Sequence, residues 1–373
     1  MLYTSSILLN KGLNLSATTS TPNIRFHSLD SLRGIAAIWI VFFHLYSGKG
    51  YLAVDFFLVL SGFILTHRYW TRETSSLEFV KHRLSRLYPM HLYSLLALTA
   101  VTLLTERTLP EGGAHPLFTF IQNLTITNNI GLNPHGPLNW NFPSWSVSVE
   151  LFVNLIFIFF IPKNVRNGVL FCISLLGLLV IFANCCGKNG MLDISYTNYY
   201  GFLNSGIIRG LVSFVLGILA YRIYLYYKED QRFIKNIDLL KLGSLSLLAV
   251  ILILSTYNTD LDFFAPYSFM LLTVCFAFDH GVIGNAVSKL NYLGTISYSL
   301  YLNQALFFVL FDRTAIPYIF FPLFIILMIA YASLTYRYVE VALGQSMLRF
   351  ISWVTARQIS DKSLNSYNIP LKE

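Results

Sequence analysis

The chain has 373 residues, of which 55% are hydrophobic, 16% aromatic and only 12% charged. That composition excludes an ordinary soluble globular domain and points to a protein whose partner is the lipid bilayer. The net charge of +8 does not indicate a nucleic-acid partner, because the basic residues are spread over many short loops and share no single water-facing surface.

In chain order, residues 1–27 lack a compact apolar core followed by a small-residue cleavage site, so they read as a cytoplasmic leader and not as a signal peptide. Apolar runs long enough to cross a bilayer then fall near 29–47, 52–70, 89–105, 145–161, 168–185, 207–227, 240–257, 262–279, 294–312 and 316–340. The expected fold is all-α, a polytopic membrane helix bundle of about ten transmembrane helices. With the loops assigned alternately, twenty of the 26 Lys and Arg residues lie on one side, five on the other and Arg33 in the membrane. The positive-inside rule therefore places both termini in the cytoplasm.

The outer segment 106–144 is rich in Gly, Pro and Asn, with an amphipathic piece near 117–126. Its tryptophan and proline content favours a folded cap; His115, His135, Trp140 and several asparagines could either build that cap or bind a sugar. Residues 342–373 are expected to form a cytoplasmic tail, too short for a second domain. Cys172, Cys185, Cys186 and Cys275 show no paired metal-ligand spacing, and no metal site is expected.

An ionisable group at the centre of a membrane helix costs roughly 2.5–3.5 kcal/mol on insertion scales, so each one is a candidate site. In "RGIAAIWIVFFH", Arg33 and His44 are eleven residues apart. Eleven helical residues turn through within about 20° of three full turns and rise about 16 Å. The two side chains thus share a face, Arg33 near the cytoplasmic end and His44 near the outer end.

Asp55 begins the second helix at the depth of His44, and Glu150 follows Trp145, a candidate interfacial anchor, into the fourth. His44, Asp55 and Glu150 are expected to converge on one outer layer, where a carboxylate would orient the imidazole as a general base requires. Asp55 could instead cap its helix, and His44 could be a packing residue. On the inner side "FVKHRLSRLYP" sets Arg83 and Arg86 three residues apart just before the third helix. That spacing suits a phosphate-bearing ligand, and equally a topology signal in contact with lipid headgroups. Arg33 extends the positive line into the membrane, or snorkels and pairs with Asp30. Arg209 and Glu340, at helix ends, read as structural.

"LDSLRGIAAIWIVFFH", "GYLAVDFFLVLSGFIL", "FVKHRLSRLYP", "SWSVSVE", "RGLVSFVLG", "LGTISYSLYLNQ" and "YRYVE" follow one another in a fixed order. In that series the chain resembles the acyltransferase-3 family of integral membrane O-acyltransferases, over about residues 28–341. The resemblance implies transfer of an acyl group, often acetyl, from cytoplasmic acyl-CoA to a carbohydrate across the bacterial inner membrane, such as an exopolysaccharide, capsule or O-antigen. Acyl-CoA would be a donor substrate and not a resident cofactor. By the same resemblance, Arg33 and His44 form the essential pair of the first helix, Arg83 and Arg86 the Arg-x-x-Arg of the acyl-CoA entrance, and Glu150 the acid of the fourth helix.

Two positions depart from the pattern: Gln304 stands where many members have histidine, and Ser213 where an acidic residue is common. A transporter or proton-coupled carrier would also keep such groups in the membrane. The chain shows no pair of related halves of the kind such carriers often contain.

Overall fold

The computed structural model describes residues 24–70, 74–109, 115–132, 140–185, 192, 197–199, 203–312 and 316–366. Most of the expected leader, together with His135, Cys186 and the last seven residues of the expected tail, lies outside the described residues.

The bundle begins with α1 (His27–Tyr46), α2 (Ala53–Leu65) and α3 (Ser76–Thr105), and a short α4 (Pro116–Leu124) precedes α5 (Trp145–Phe160). It continues through α6 (Asn167–Cys185), α7 (Ser205–Tyr227), α8 (Gln231–Lys235), α9 (Ile237–Tyr257), α10 (Ala265–Phe276) and α11 (Gly281–Ser288). The chain closes with α12 (Asn291–Leu310), α13 (Phe321–Thr335) and α14 (Ala342–Ser366). Before α7, β1 (Asn198–Tyr199) and β2 (Leu203–Asn204) form a two-residue antiparallel ribbon. Among the described residues nine helical segments are long and apolar enough to cross a membrane, and ten when α10 and α11, bent by 96° at their junction, count as one span. The all-α membrane bundle expected from the hydropathy pattern is thus the fold observed.

Two close helix crossings organise the site. Where α1 meets α12, a Cβ on Gly294 would fall 1.8 Å from the Asp30 carbonyl oxygen, and one on Gly34 would strike Leu293 at 2.4 Å. Where α2 meets α7, a Cβ on Gly217 would lie 2.0 Å from the Val59 oxygen. Small residues at such crossings let backbones approach, which is how membrane helices gain packing energy without a hydrophobic drive. Gly294→Ala is therefore expected to destabilise the protein by about 1–3 kcal/mol through overpacking. A lower melting temperature in detergent checks this; an unchanged one would show that the crossing has slack.

The third span begins earlier than the hydropathy run at 89–105 implies. Ser75 caps α3 by accepting from the Glu78 N–H at 3.2 Å, and the helix runs on through Pro89. Arg83 and Arg86 therefore lie inside a helix, not before one. Pro89 cannot donate to the carbonyl four residues back, and α14 comes against that Ser85 carbonyl at Gly344, where a Cβ would sit 2.8 Å away. The stretch expected to be a plain tail is helical as far as Ser366 and packs along α3.

In the segment 106–144, α4 exposes Leu117, Phe118 and Ile121 and buries Thr119, Gln122 and Asn123. Trp140 Nε1 donates to Thr119 at 3.0 Å, Asn128 Nδ2 to Ser144 at 3.0 Å, and the His91 ring meets the Asn123 carbonyl. The described parts of the segment form a packed cap. At the opposite end, Asp279 accepts the N–H groups of His27 and Ser28 at 2.8 Å each, satisfying the first turn of α1. The buried Lys241 of α9 donates to the carbonyls of Phe278 and His280 and so ties down the connection between α10 and α11.

Candidate active site

Arg33 is held by α12. Its Nε donates to the Gly294 carbonyl at 3.1 Å and to Ser297 Oγ at 3.0 Å, and Nη2 lies 3.3 Å from Asp30 Oδ1. Asp30 is shared with Arg25, whose Nη2 donates to Thr295 Oγ1 at 2.9 Å. The close Gly34–Gly294 crossing makes these bonds possible, since it brings the α12 backbone within reach of a side chain on α1.

Arg33 faces two adjoining cavities. The inner one, about 330 Å³, is lined by Arg25, Asp30, Arg33, Arg86, Thr295 and Glu340 among others. The other, about 120 Å³, carries Arg33, Arg83, Arg86 and Glu150 together with a more apolar lining that includes Val54, Phe57, Ser146 and Tyr301. Arg33, Leu60, Ile64 and Arg86 border both. A polar vestibule thus leads into a largely greasy chamber.

Within that chamber Arg83 donates through Nη2 to Glu150 Oε1, which also accepts from Ser61 Oγ at 3.3 Å. Arg86 is different: it is exposed to the cavities and makes no hydrogen bond or ion pair among the described residues. With its hydrogen-bond donors uncommitted and only Glu340 facing it across the larger cavity, this guanidinium can bind an anion bidentately.

His44 lies about three turns farther along α1 than Arg33 and also meets α12. Its Nδ1 is 3.0 Å from Gln304 Oε1, and its ring packs against Phe142 and Phe308 at centroid distances of 4.9 and 6.3 Å. With the amide oxygen accepting, Nδ1 carries the hydrogen and Nε2 is the basic nitrogen. The shared face expected from the eleven-residue spacing is present, because both ends of that face contact α12.

The expected convergence of His44, Asp55 and Glu150 is not what the helices produce. Asp55 is fully buried and paired with Arg209, whose Nε and Nη2 reach it at 3.1 and 2.7 Å, while Ser213 Oγ donates at 2.8 Å. The reason is helical phase. Asp55 shares its stripe with Val59 and Gly62, the α2 residues that close on α7, and Arg209, Ser213 and Gly217 form the facing stripe. Glu150 lies deeper on α5 and is drawn to Arg83, an inner arginine. Trp145, read as an interfacial anchor, is buried and stands 5.9 Å from the Arg209 guanidinium.

Three contributors escaped sequence reasoning. Gln304, noted only as a departure from the family pattern, meets His44. Glu340, read as a helix-end residue, lies in a π-helical segment (Tyr336–Val341), lines the inner cavity and accepts from Ser299 at 2.8 Å. Tyr301 lines the chamber. The quoted "SYSLYLNQ" and "YRYVE" held these residues, but helix phase alone does not say which of them face inward.

A family model described as an acyltransferase domain, acyltransferase 3, matches residues 26–337. Protein 2 in the picA locus of Rhizobium radiobacter is 32% identical over 162 residues, covering 37% of this chain and 84% of that protein. The O-acetyltransferase OatA of Staphylococcus aureus (strain NCTC 8325 / PS 47) is 30% identical over 189 residues, covering 43% of this chain and 30% of its own length. This chain therefore spans under a third of OatA. No solved structure matches.

Proposed function

Because the chain belongs to the acyltransferase-3 family of membrane O-acyltransferases, we propose that it moves a short acyl group, acetyl foremost, from acyl-CoA to a hydroxyl of a carbohydrate. The donor would enter from the cytoplasm and the acceptor would lie beyond the inner membrane of a bacterium. The charge asymmetry of the loops supports this orientation, with both termini inside. One observation carries the reading: a polar vestibule and an apolar chamber adjoin along Arg33 and Arg86, with His44 farther out on the helix that carries Arg33.

In this reading the phosphates of the donor meet Arg86 and Arg33 while Glu150 keeps Arg83 compensated. The thioester lies toward the outer end of the chamber. His44 Nε2 takes the proton of the acceptor hydroxyl as its oxygen attacks the thioester carbonyl, the C–S bond breaks, and CoA leaves as the thiolate. Gln304 holds the imidazole in the tautomer this needs. A relay, in which His44 takes the acyl group itself, would leave an acylated protein that can be trapped without acceptor.

The test is acyl-CoA-dependent thiol release by the reconstituted protein with candidate glycans. Release that depends on both substrates supports the reading, and absence of both release and acyl-CoA binding refutes it. Arg86→Ala separates binding from folding. Loss of a charge-assisted hydrogen bond of about 1.5–3 kcal/mol predicts a KM for acyl-CoA raised about 10- to 150-fold. Its melting temperature should change little, because Arg86 makes no hydrogen bond or close ion pair among the described residues and only faces Glu340 across the cavity. A large stability loss with normal KM would count against an anion site.

A further inference from the structure

Resting on this donor reading, we infer that Phe57, backed by Tyr301, sets the length of the acyl chain the chamber accepts. The chamber is lined by Arg33, Arg86 and the Arg83–Glu150 pair and also by an apolar group that includes Val54, Phe57 and Leu58, so a donor anchored by its phosphates directs its acyl end away from the arginines. That end meets Phe57 and Tyr301, whose ring centroids are 6.1 Å apart.

The wall is fixed on the Tyr301 side. Tyr301 donates its hydroxyl hydrogen to the Pro143 carbonyl at 3.0 Å, and its oxygen lies 2.8 Å from Ser146 Oγ. Phe142, next to Pro143, packs on His44, and Gln304 sits one turn beyond Tyr301 on α12. The Tyr301 end of the chamber is therefore the end nearest the His44 layer. Phe57 is the member of this wall that can be trimmed, since its ring is half-buried, faces the chamber and joins the apolar clusters on either side.

A pocket closed by a phenyl ring and two hydroxyls already engaged suits a small uncharged acyl group. A longer chain would have to displace the ring, and an acyl group ending in a carboxylate would meet no cation at this end.

Equilibrium binding of acetyl-, butyryl- and hexanoyl-CoA to the full chain in lipid nanodiscs tests this. The wild type should prefer acetyl-CoA to hexanoyl-CoA. Phe57→Ala should shift that ratio at least about tenfold toward hexanoyl-CoA, the discrimination an apolar pocket gains from one or two methylenes. Phe57→Leu should fall between them, and it decides the matter if the alanine variant does not fold. Equal affinities across the series in the wild type, or a ratio unmoved in the variants, overturns the inference. A wild type that binds neither CoA nor any of its thioesters instead removes the donor reading beneath it.

Discussion

Replacing His44 with alanine is expected to lower acyl transfer by about 10²–10⁴-fold, the range that general-base help contributes, with acyl-CoA affinity nearly unchanged. The split follows from position. Arg33 and Arg86 border the cavities where the phosphates would sit, whereas His44 contacts Gln304, Phe142 and Phe308 near the C-terminal ends of α1 and α12. Initial rates of thiol release, measured beside direct acyl-CoA binding, distinguish the two effects. If His44→Ala abolished binding as well, His44 would belong to the donor site; if neither changed, it would be a packing residue.

Asp55→Ala is expected to destabilise the fold by about 3–5 kcal/mol, because it strands a buried cation. Arg209 is 2% exposed and Asp55 is 0% exposed, so neither charge can turn to water. Further Arg209 hydrogen bonds to the carbonyls of Tyr51 and Leu192 would remain but could not balance the charge. A double variant, Asp55→Ala with Arg209→Met, should recover much of the loss, since removing both charges also removes their desolvation cost. Thermal unfolding in detergent reads this directly. The experiment also tests the earlier expectation for Asp55: a residue serving His44 would slow transfer without lowering the melting temperature.

These two residues show where sequence reasoning held and where it failed. Arg33 and His44 lie on one helix, and an α-helix has a fixed angle per residue, so eleven residues suffice to place both on one face. Asp55, Glu150 and His44 lie on three different helices. Their depths followed from the spans, but depth leaves each helix free to rotate about its axis. Rotation is decided by packing, through Gly62 and Gly217 for α2 against α7 and through Gly34 and Gly294 for α1 against α12. Those crossings turn Asp55 toward Arg209 and bring His44 to Gln304.

Arg83 and Arg86 illustrate an intermediate case. Their three-residue spacing already put them on neighbouring positions of one face, while Pro89 and the surrounding charges hid the helix that carries them. Once α3 extends back to its Ser75 cap, one arginine reaches Glu150 and the other is left to the cavities.

By itself the sequence determined the membrane class, the approximate number and the order of the spans, the charge asymmetry of the loops and the motif series of the family. Each of these is a property of composition or of local helical geometry. Only the tertiary structure decided which ionisable groups neutralise one another, that an amide meets His44, and that Phe57 and Tyr301 line the arginine-bearing chamber. Those outcomes depend on how side chains from separate helices interlock, and no period within a single segment encodes that.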